Sequence, residues 1–247
     1  MINNIRTSAV LIILTSLLFY SCSKIDNYSS PNASISGALL DAKNDTVPTA
    51  NNTNAFGFNY PDGVLNIYQQ KYSSTVSGAQ GTSFSQNGTY TNNSIFAGTY
   101  KAIPVGAFYA DTAVLVVSGN TKHDFKVTPF VNVTLQVTSL TNSSIAVSYQ
   151  VTGNDPLQNV SEAAAWLSPS AGVNRFSWYG SNFNPVDNST YRDDHTGLTG
   201  DATFTMVFTN LQASTTYYIR AGALASGKNP QNYWNYSKVY QVQTKAN

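Results

Sequence analysis

The chain has 247 residues, a formal net charge of +1 and only 10% charged side chains, with Glu162 as its single glutamate. Hydrophobic residues make up 42% and aromatics 13%, which supplies a packed core and excludes a disordered chain. No two lysines are adjacent and no basic block exists, which excludes a phosphate-tracking nucleic-acid surface and a polybasic membrane patch. Abundant Thr, Val and Tyr favour strands, and abundant Asn and Gly favour turns, so the composition predicts an all-β protein.

The first segment differs from the rest. Arg6 gives a weakly positive start, and residues 9–20 form an apolar run broken only by Thr15 and Ser16. That run is short for a membrane span, which needs roughly 20 residues, and suits the apolar region of a secretion signal. A buried N-terminal strand is the alternative. Cys22, the only cysteine, follows Ser21 two residues after the run and has no partner for an internal disulfide. The Ser21-Cys22 step resembles a bacterial lipobox, with Phe19 and Tyr20 where leucine and a small residue are more usual. The resemblance implies removal of residues 1–21 and lipidation of Cys22, leaving 12 basic and 12 acidic side chains, so that the lipid alone anchors the chain. Residues 22–32 then read as a short polar tether.

In the next stretch Ile35, Leu39 and Leu40 predict a short strand containing Gly37, and residues 64–70 a central strand apolar on both faces. The long loop between them carries Phe56, Phe58 and Tyr60 at alternate positions, either packed on the sheet or exposed to a ligand. Asn87-Gly88 marks a tight turn, and Pro104 predicts an edge or bulge because it withholds a ladder donor. Residues 112–119 and 123–129 supply two further strands. The elements Gly88-Thr89-Tyr90, Ala97-Gly98-Thr99-Tyr100 and Asp124-Phe125-Lys126-Val127 together resemble a carboxypeptidase-regulatory-like, or transthyretin-like, sandwich over residues 33–129.

Beyond Phe130 the pattern restarts. Val131, Val133, Leu135 and Val137 alternate onto one face, as do Ile145, Val147, Tyr149 and Val151. Residues 162–168 read as one helical turn or, from their position between strands, as another strand with Trp166 as a core anchor, and Phe204, Met206 and Phe208 share a face. Leu211 stands six residues before Tyr217, which resembles the tyrosine corner of fibronectin type III domains. That pattern turns Tyr217, Ile219 and Ala221 inward and Tyr218, Arg220 and Gly222 outward, with residues 237–244 closing a sandwich over 131–247. The fold class is therefore two tandem β-sandwiches, transthyretin-like and then fibronectin type III-like.

The arrangement resembles a family of uncharacterised Bacteroidetes lipoproteins. The resemblance is carried by residues 22–28, Ile35-Ser36-Gly37, Phe96-Ala97-Gly98-Thr99-Tyr100 and Tyr217-Tyr218-Ile219-Arg220. It implies an outer-membrane, lipid-anchored protein at the cell surface or the periplasmic face. It also implies association with starch-utilisation-type glycan uptake, with polysaccharide or oligosaccharide and outer-membrane transporter components as partners. The family offers no established catalytic or ligand residues to carry over, and no cofactor is expected.

The residues themselves give little support to an enzyme. Asp193-Asp194 is the only adjacent carboxylate pair, and neighbours on a strand point to opposite faces, unsuited to a glycosidase dyad. His123 and His195 do not belong to a zinc-ligand cluster. Asp193, Asp194 and Asp201 offer hard oxygens for calcium, against the simpler reading of a solvated turn-rich loop. Sugars stack on flat rings and hydrogen-bond to amides and carboxylates. Trp178, Tyr179 and Phe183 in one segment, and Tyr233, Trp234 and Tyr236 in another, are the candidate glycan-binding rings. The alternatives are that these rings cap the core, or that they dock a protein partner in an assembly role.

Overall fold

The computed structural model describes residues 29–50, 62–70, 78–154, 159–178, 191–227, 229 and 231–247. The apolar run, Cys22, Phe56, Phe58, Tyr60, Tyr179 and Phe183 lie outside the described residues. Residues 32–247 form one compact unit, with no α-helix among the described residues.

Nine strands come first: β1 Ala33–Leu40, β2 Gly63–Gln69, β3 Gln80–Ser83, β4 Thr89–Ile95, β5 Gly98–Gly106, β6 Phe108–Ala110, β7 Ala113–Val117, β8 Asn120–Lys122 and β9 Phe125–Pro129. They build two sheets, one in the order β4-β1-β9-β6 with β8 also on β1, the other β3-β2-β5-β7. Leu65 and Ile67 of β2, Tyr100 and Ala102 of β5, and Leu115 and Val117 of β7 join Ile35, Leu39, Tyr90, Phe125 and Val127 in one core. The period-2 alternation of a strand puts Val114 and Val116 on the opposite side of β7, 67% and 72% exposed. β2 is central, as its two apolar faces predict. Pro104 pairs with Leu65 in a stretch of β5 beyond the reach of β7, so it needs only one strand neighbour.

Gly37 has a specific task. β8 and β9 pair in parallel with successive parts of β1, and the chain crosses between them at His123. A Cβ on Gly37 would sit 1.7 Å from the His123 carbonyl oxygen, which also accepts the Tyr90 hydroxyl at 2.6 Å. Gly88 adopts φ +81° at the Asn87-Gly88 turn, a conformation favouring glycine.

Eight strands follow: β10 Val131–Leu140, β11 Ile145–Gly153, β12 Val160–Ser168, β13 Arg192–Thr196, β14 Ala202–Phe208, β15 Thr216–Ala225, β16 Trp234–Tyr236 and β17 Tyr240–Gln243. They form a three-stranded sheet, β10-β11-β14, and a second sheet, β13-β12-β15-β16, with β17 also on β15. Ile145, Val147, Tyr149 and Val151 meet Ala163, Ala165, Leu167, Tyr217, Ile219 and Ala221 in the core between them. Tyr217 accepts the Gln212 N–H at 3.1 Å, the backward reach expected of a tyrosine corner. The four sheets give tandem β-sandwiches.

The sequence pattern turns Arg220 and Gly222 outward. They do leave the core around Tyr149, but a second layer covers them, and Arg220 is fully buried. Arg220 Nε donates to the Ser237 carbonyl at 3.0 Å, while Nη2 donates to the Thr49 and Gln86 carbonyls at 2.8 and 3.1 Å. Asn235 adds another link between the sandwiches, accepting the Val131 N–H at 3.0 Å and donating to the Ala107 carbonyl at 2.8 Å.

Candidate functional site

Strand register lays out the covered face of the β13-β12-β15-β16 sheet as a grid. Arg192 pairs with Trp166, and Trp166 with Arg220. Asp194, Ala164, Gly222 and Tyr236 form the next row, and Thr196, Glu162, Leu224 and Trp234 the one after. The middle row is small at Ala164 and Gly222. That lets the Trp166 ring lie across the sheet, its Cζ3 and Cη2 only 3.0–3.1 Å from the site of a Gly222 Cβ.

All three tryptophans of the chain gather here. Trp166, Trp178, Trp234 and Tyr236 pack with Ala164, Val173 and Leu224. Trp166 lies 5.6 Å from Trp234 and 6.1 Å from Tyr236, centroid to centroid. The candidate rings among the described residues are largely covered. Trp178 and Trp234 are each 8% exposed and Tyr236 4%. The second of the two ring-bearing segments contains β16, which pairs with β15 and carries Trp234 and Tyr236 inward. Tyr233 points elsewhere, half-buried against the core around Tyr149.

Asp62 anchors the cluster. Its fully buried carboxylate accepts two hydrogen bonds from Arg175, at 3.1 Å from Nε and 2.8 Å from Nη2. It also accepts the Tyr236 hydroxyl and the Trp234 N–H. Burial pushes the Asp62 carboxyl above its ordinary value, against the opposing pull of Arg175, Tyr236 and the Trp234 N–H. Burial likewise holds the Tyr236 phenol well above 10, so it remains a donor. The Arg175 guanidinium lies 4.1 Å from the Phe176 ring centroid and 5.8 Å from that of Trp234, a cation held between two rings.

Above this layer opens a cleft of about 210 Å³ whose walls include Glu162, Trp166, Arg175, Phe176, Arg192, Asp194 and Trp234. Arg192 and Asp194 pair at its rim with side chains 43% and 36% exposed, and Arg192 also lies over Trp178 at 5.6 Å. In the wall, the Trp166 indole N–H is buried with no hydrogen-bond partner among the described residues. An unmet buried donor costs about 1–3 kcal/mol.

The calcium candidates do not converge. Asp193 accepts the Tyr149 hydroxyl at 2.8 Å and lies 3.0 Å from His195 Nε2. Asp194 faces the cleft with Arg192, and Asp201 accepts the Gly153 N–H at 2.9 Å. Adjacent residues on β13 project to opposite faces, which separates Asp193 from Asp194. Among the described residues no group of three His, Cys, Asp or Glu side chains is placed to hold a metal ion. Burial, then the Asp193 carboxylate, pushes the Tyr149 phenol far up, so it acts as a donor to Asp193. His195 stacks on Phe204 at 3.8 Å. Sequence reasoning weighs rings and misses Arg175, Arg192, Glu162 and the cleft role of Trp166. The small Ala164 and Gly222 make room for the Trp166 ring, and no local signal marks the other three.

The sheets and the cleft define a tandem β-sandwich protein with a polar, ring-lined depression on one sheet face. The model of the DUF3823 N-terminal domain, a family of unknown function, matches residues 34–128. A candidate carbohydrate-binding protein of Bacteroides uniformis has a similar fold. It is 22% identical with a TM-score of 0.69, over 86% of this chain and 99% of that one. A DUF3823 family protein of Parabacteroides merdae is 19% identical with a TM-score of 0.65, over 88% and 100% of the two chains. A second Bacteroides uniformis protein, also of the DUF3823 family, is 19% identical with a TM-score of 0.66, over 87% and 100%. No curated protein matches the chain.

Proposed function

We propose that this protein is a non-catalytic, lipid-anchored glycan-binding accessory of a polysaccharide uptake system at the outer membrane. The observation that carries the reading is the cleft, where tryptophan and phenylalanine rings stand beside arginine, carboxylate and an unmet indole donor. The fold shared with a candidate carbohydrate-binding protein of Bacteroides uniformis supports it. In this reading residues 1–21 are a leader and Cys22 carries lipid. Residues 22–32 are a tether, 33–129 a transthyretin-like sandwich and 131–247 a fibronectin type III-like one. Titration of the protein against starch, xylan, mannan, β-glucan and pectin by affinity electrophoresis tests it. Retardation by at least one polysaccharide is expected, and unchanged migration in all of them overturns the reading.

A second reading, assembly on a protein of the transporter complex, is favoured by one feature. Val114 and Val116 form an apolar strip on β7, at the end of its sheet. Co-purification with a transporter that survives loss of glycan binding and fails in Val116→Lys would favour it.

A further inference from the structure

We propose that the cleft over β12 and β13 is the binding site for a single uncharged sugar ring, with the Trp166 indole N–H as the buried donor to one of its oxygens. The inference rests on the glycan-binding reading above and names its site and ligand class.

Four observations carry it. The first is the orphan donor. Trp166 is 1% exposed, and its N–H has no partner among the described residues. The Cζ3–Cη2 edge of the ring lies over Gly222 on β15, and Trp166 is one of the residues that line the cleft. Buried donors are nearly always met, and a ligand oxygen would meet this one. The second is size. At about 210 Å³ the cleft is smaller than the roughly 300–1,000 Å³ of pockets for drug-sized ligands, which suits one ring of a chain and not several.

The third is charge. Asp62 and Asp194 already partner Arg175 and Arg192, and Glu162 adds a third carboxylate beside the two arginines. A carboxylated sugar would have to compete with those partners, whereas a hydroxyl can donate to the carboxylates and accept from the guanidinium groups together. The fourth is the rim. The Arg192–Asp194 pair is exposed and linked to the protein through long side chains, so it can turn to admit a ring and then close on its hydroxyls. Phe176 and Trp234 supply apolar wall for the C–H face of the ring.

Calorimetric titration with maltohexaose, xylohexaose, mannohexaose, cellohexaose and trigalacturonate, on the wild type and on Glu162→Gln, Asp194→Asn and Trp166→Phe, tests the assignment. Glu162→Gln and Asp194→Asn are isosteric changes at a half-buried and an exposed position and are expected to keep the fold, whereas Trp166→Phe is read only if its thermal unfolding remains cooperative. At least one neutral oligosaccharide is expected to bind, and each variant is expected to weaken it about tenfold or more, the loss of one good hydrogen bond. Binding of a neutral glycan with the same Kd in Glu162→Gln and Asp194→Asn overturns the site while leaving glycan binding intact. Binding of trigalacturonate alone overturns the uncharged ligand class. Absence of any binding overturns both the site and the reading it rests on.

Discussion

Replacing Arg220 with methionine is the sharpest test of how the two sandwiches are held together. Arg220 is fully buried and is the donor to three carbonyls, those of Thr49, Gln86 and Ser237, with its guanidinium 4.3 Å from the Tyr236 ring centroid. Methionine keeps much of the volume and removes all three bonds. Each carbonyl left unmet costs about 2 kcal/mol, roughly 6 kcal/mol for the three. Against this stands the relief of burying a charge. Burial lowers the Arg220 pKa from 12.5 to about 10, which corresponds to about 3 kcal/mol returned when the charge is deleted. The net loss is about 3 kcal/mol, or about 6–12 °C in Tm for a unit of this size. Thermal unfolding followed by circular dichroism measures it, with Arg220→Lys as the control that retains charge but cannot make three fixed bonds. Arg220→Lys should recover less than half of the loss. A methionine variant within about 1 °C of wild type would refute the claim that this side chain fastens the sandwiches.

Four further outcomes follow from the same structure. Asp62 carries a raised pKa in the fold, so the folded state binds its proton more tightly than the unfolded chain. Its contribution is fully present below the ordinary value of 3.8 and is lost as pH rises through the raised value. The Tm of wild type minus that of Asp62→Asn should therefore grow as pH falls from 7 toward 4, and a shrinking difference would show that Arg175 outweighs burial. Gly37→Ala drives a Cβ to within 1.7 Å of the His123 carbonyl and should cost more than about 3 kcal/mol in urea unfolding; a near-wild-type midpoint would contradict the crossing described. Tyr217→Phe removes the acceptor of the Gln212 N–H and should cost about 1 kcal/mol, read from the same urea curves. Cys22→Ala should move the protein from the membrane fraction to the soluble one, and continued membrane association would remove the lipid anchor from the account.

Much of the strand pattern is legible in the sequence because one face of each strand meets a core and the other meets water. The alternations at Val131–Val137 and Ile145–Val151 have that simple cause. Tyr217 could be placed for the same reason, with Leu211 supplying the spacing. The pattern loses its meaning where both faces are covered. In β12 the run Ala163-Ala164-Ala165-Trp166-Leu167 is buried throughout, so alternation cannot say which side Trp166 takes. Arg220 reads as solvent-facing because charge normally is, and only the carbonyls of Thr49 and Gln86, more than a hundred residues away in sequence, explain its burial. Strands of three or four residues, such as β6, β8 and β16, carry too few positions to show a period. The inward turn of Trp234 and Tyr236 on β16 is hidden for that reason. The cleft is assembled by register across three strands and the turn at Arg175–Phe176, so its members are scattered in sequence.

The most direct test of the account exploits the gathering of all three tryptophans in one cluster, two of them, Trp166 and Trp234, in the cleft wall. A nitrogen–proton correlation spectrum of the indole groups during titration with a bound neutral oligosaccharide resolves one signal per tryptophan, assigned by single Trp→Phe variants. The account predicts that the Trp166 signal shifts furthest and moves downfield as its N–H gains an acceptor. Three indole signals unmoved at saturating oligosaccharide would contradict it.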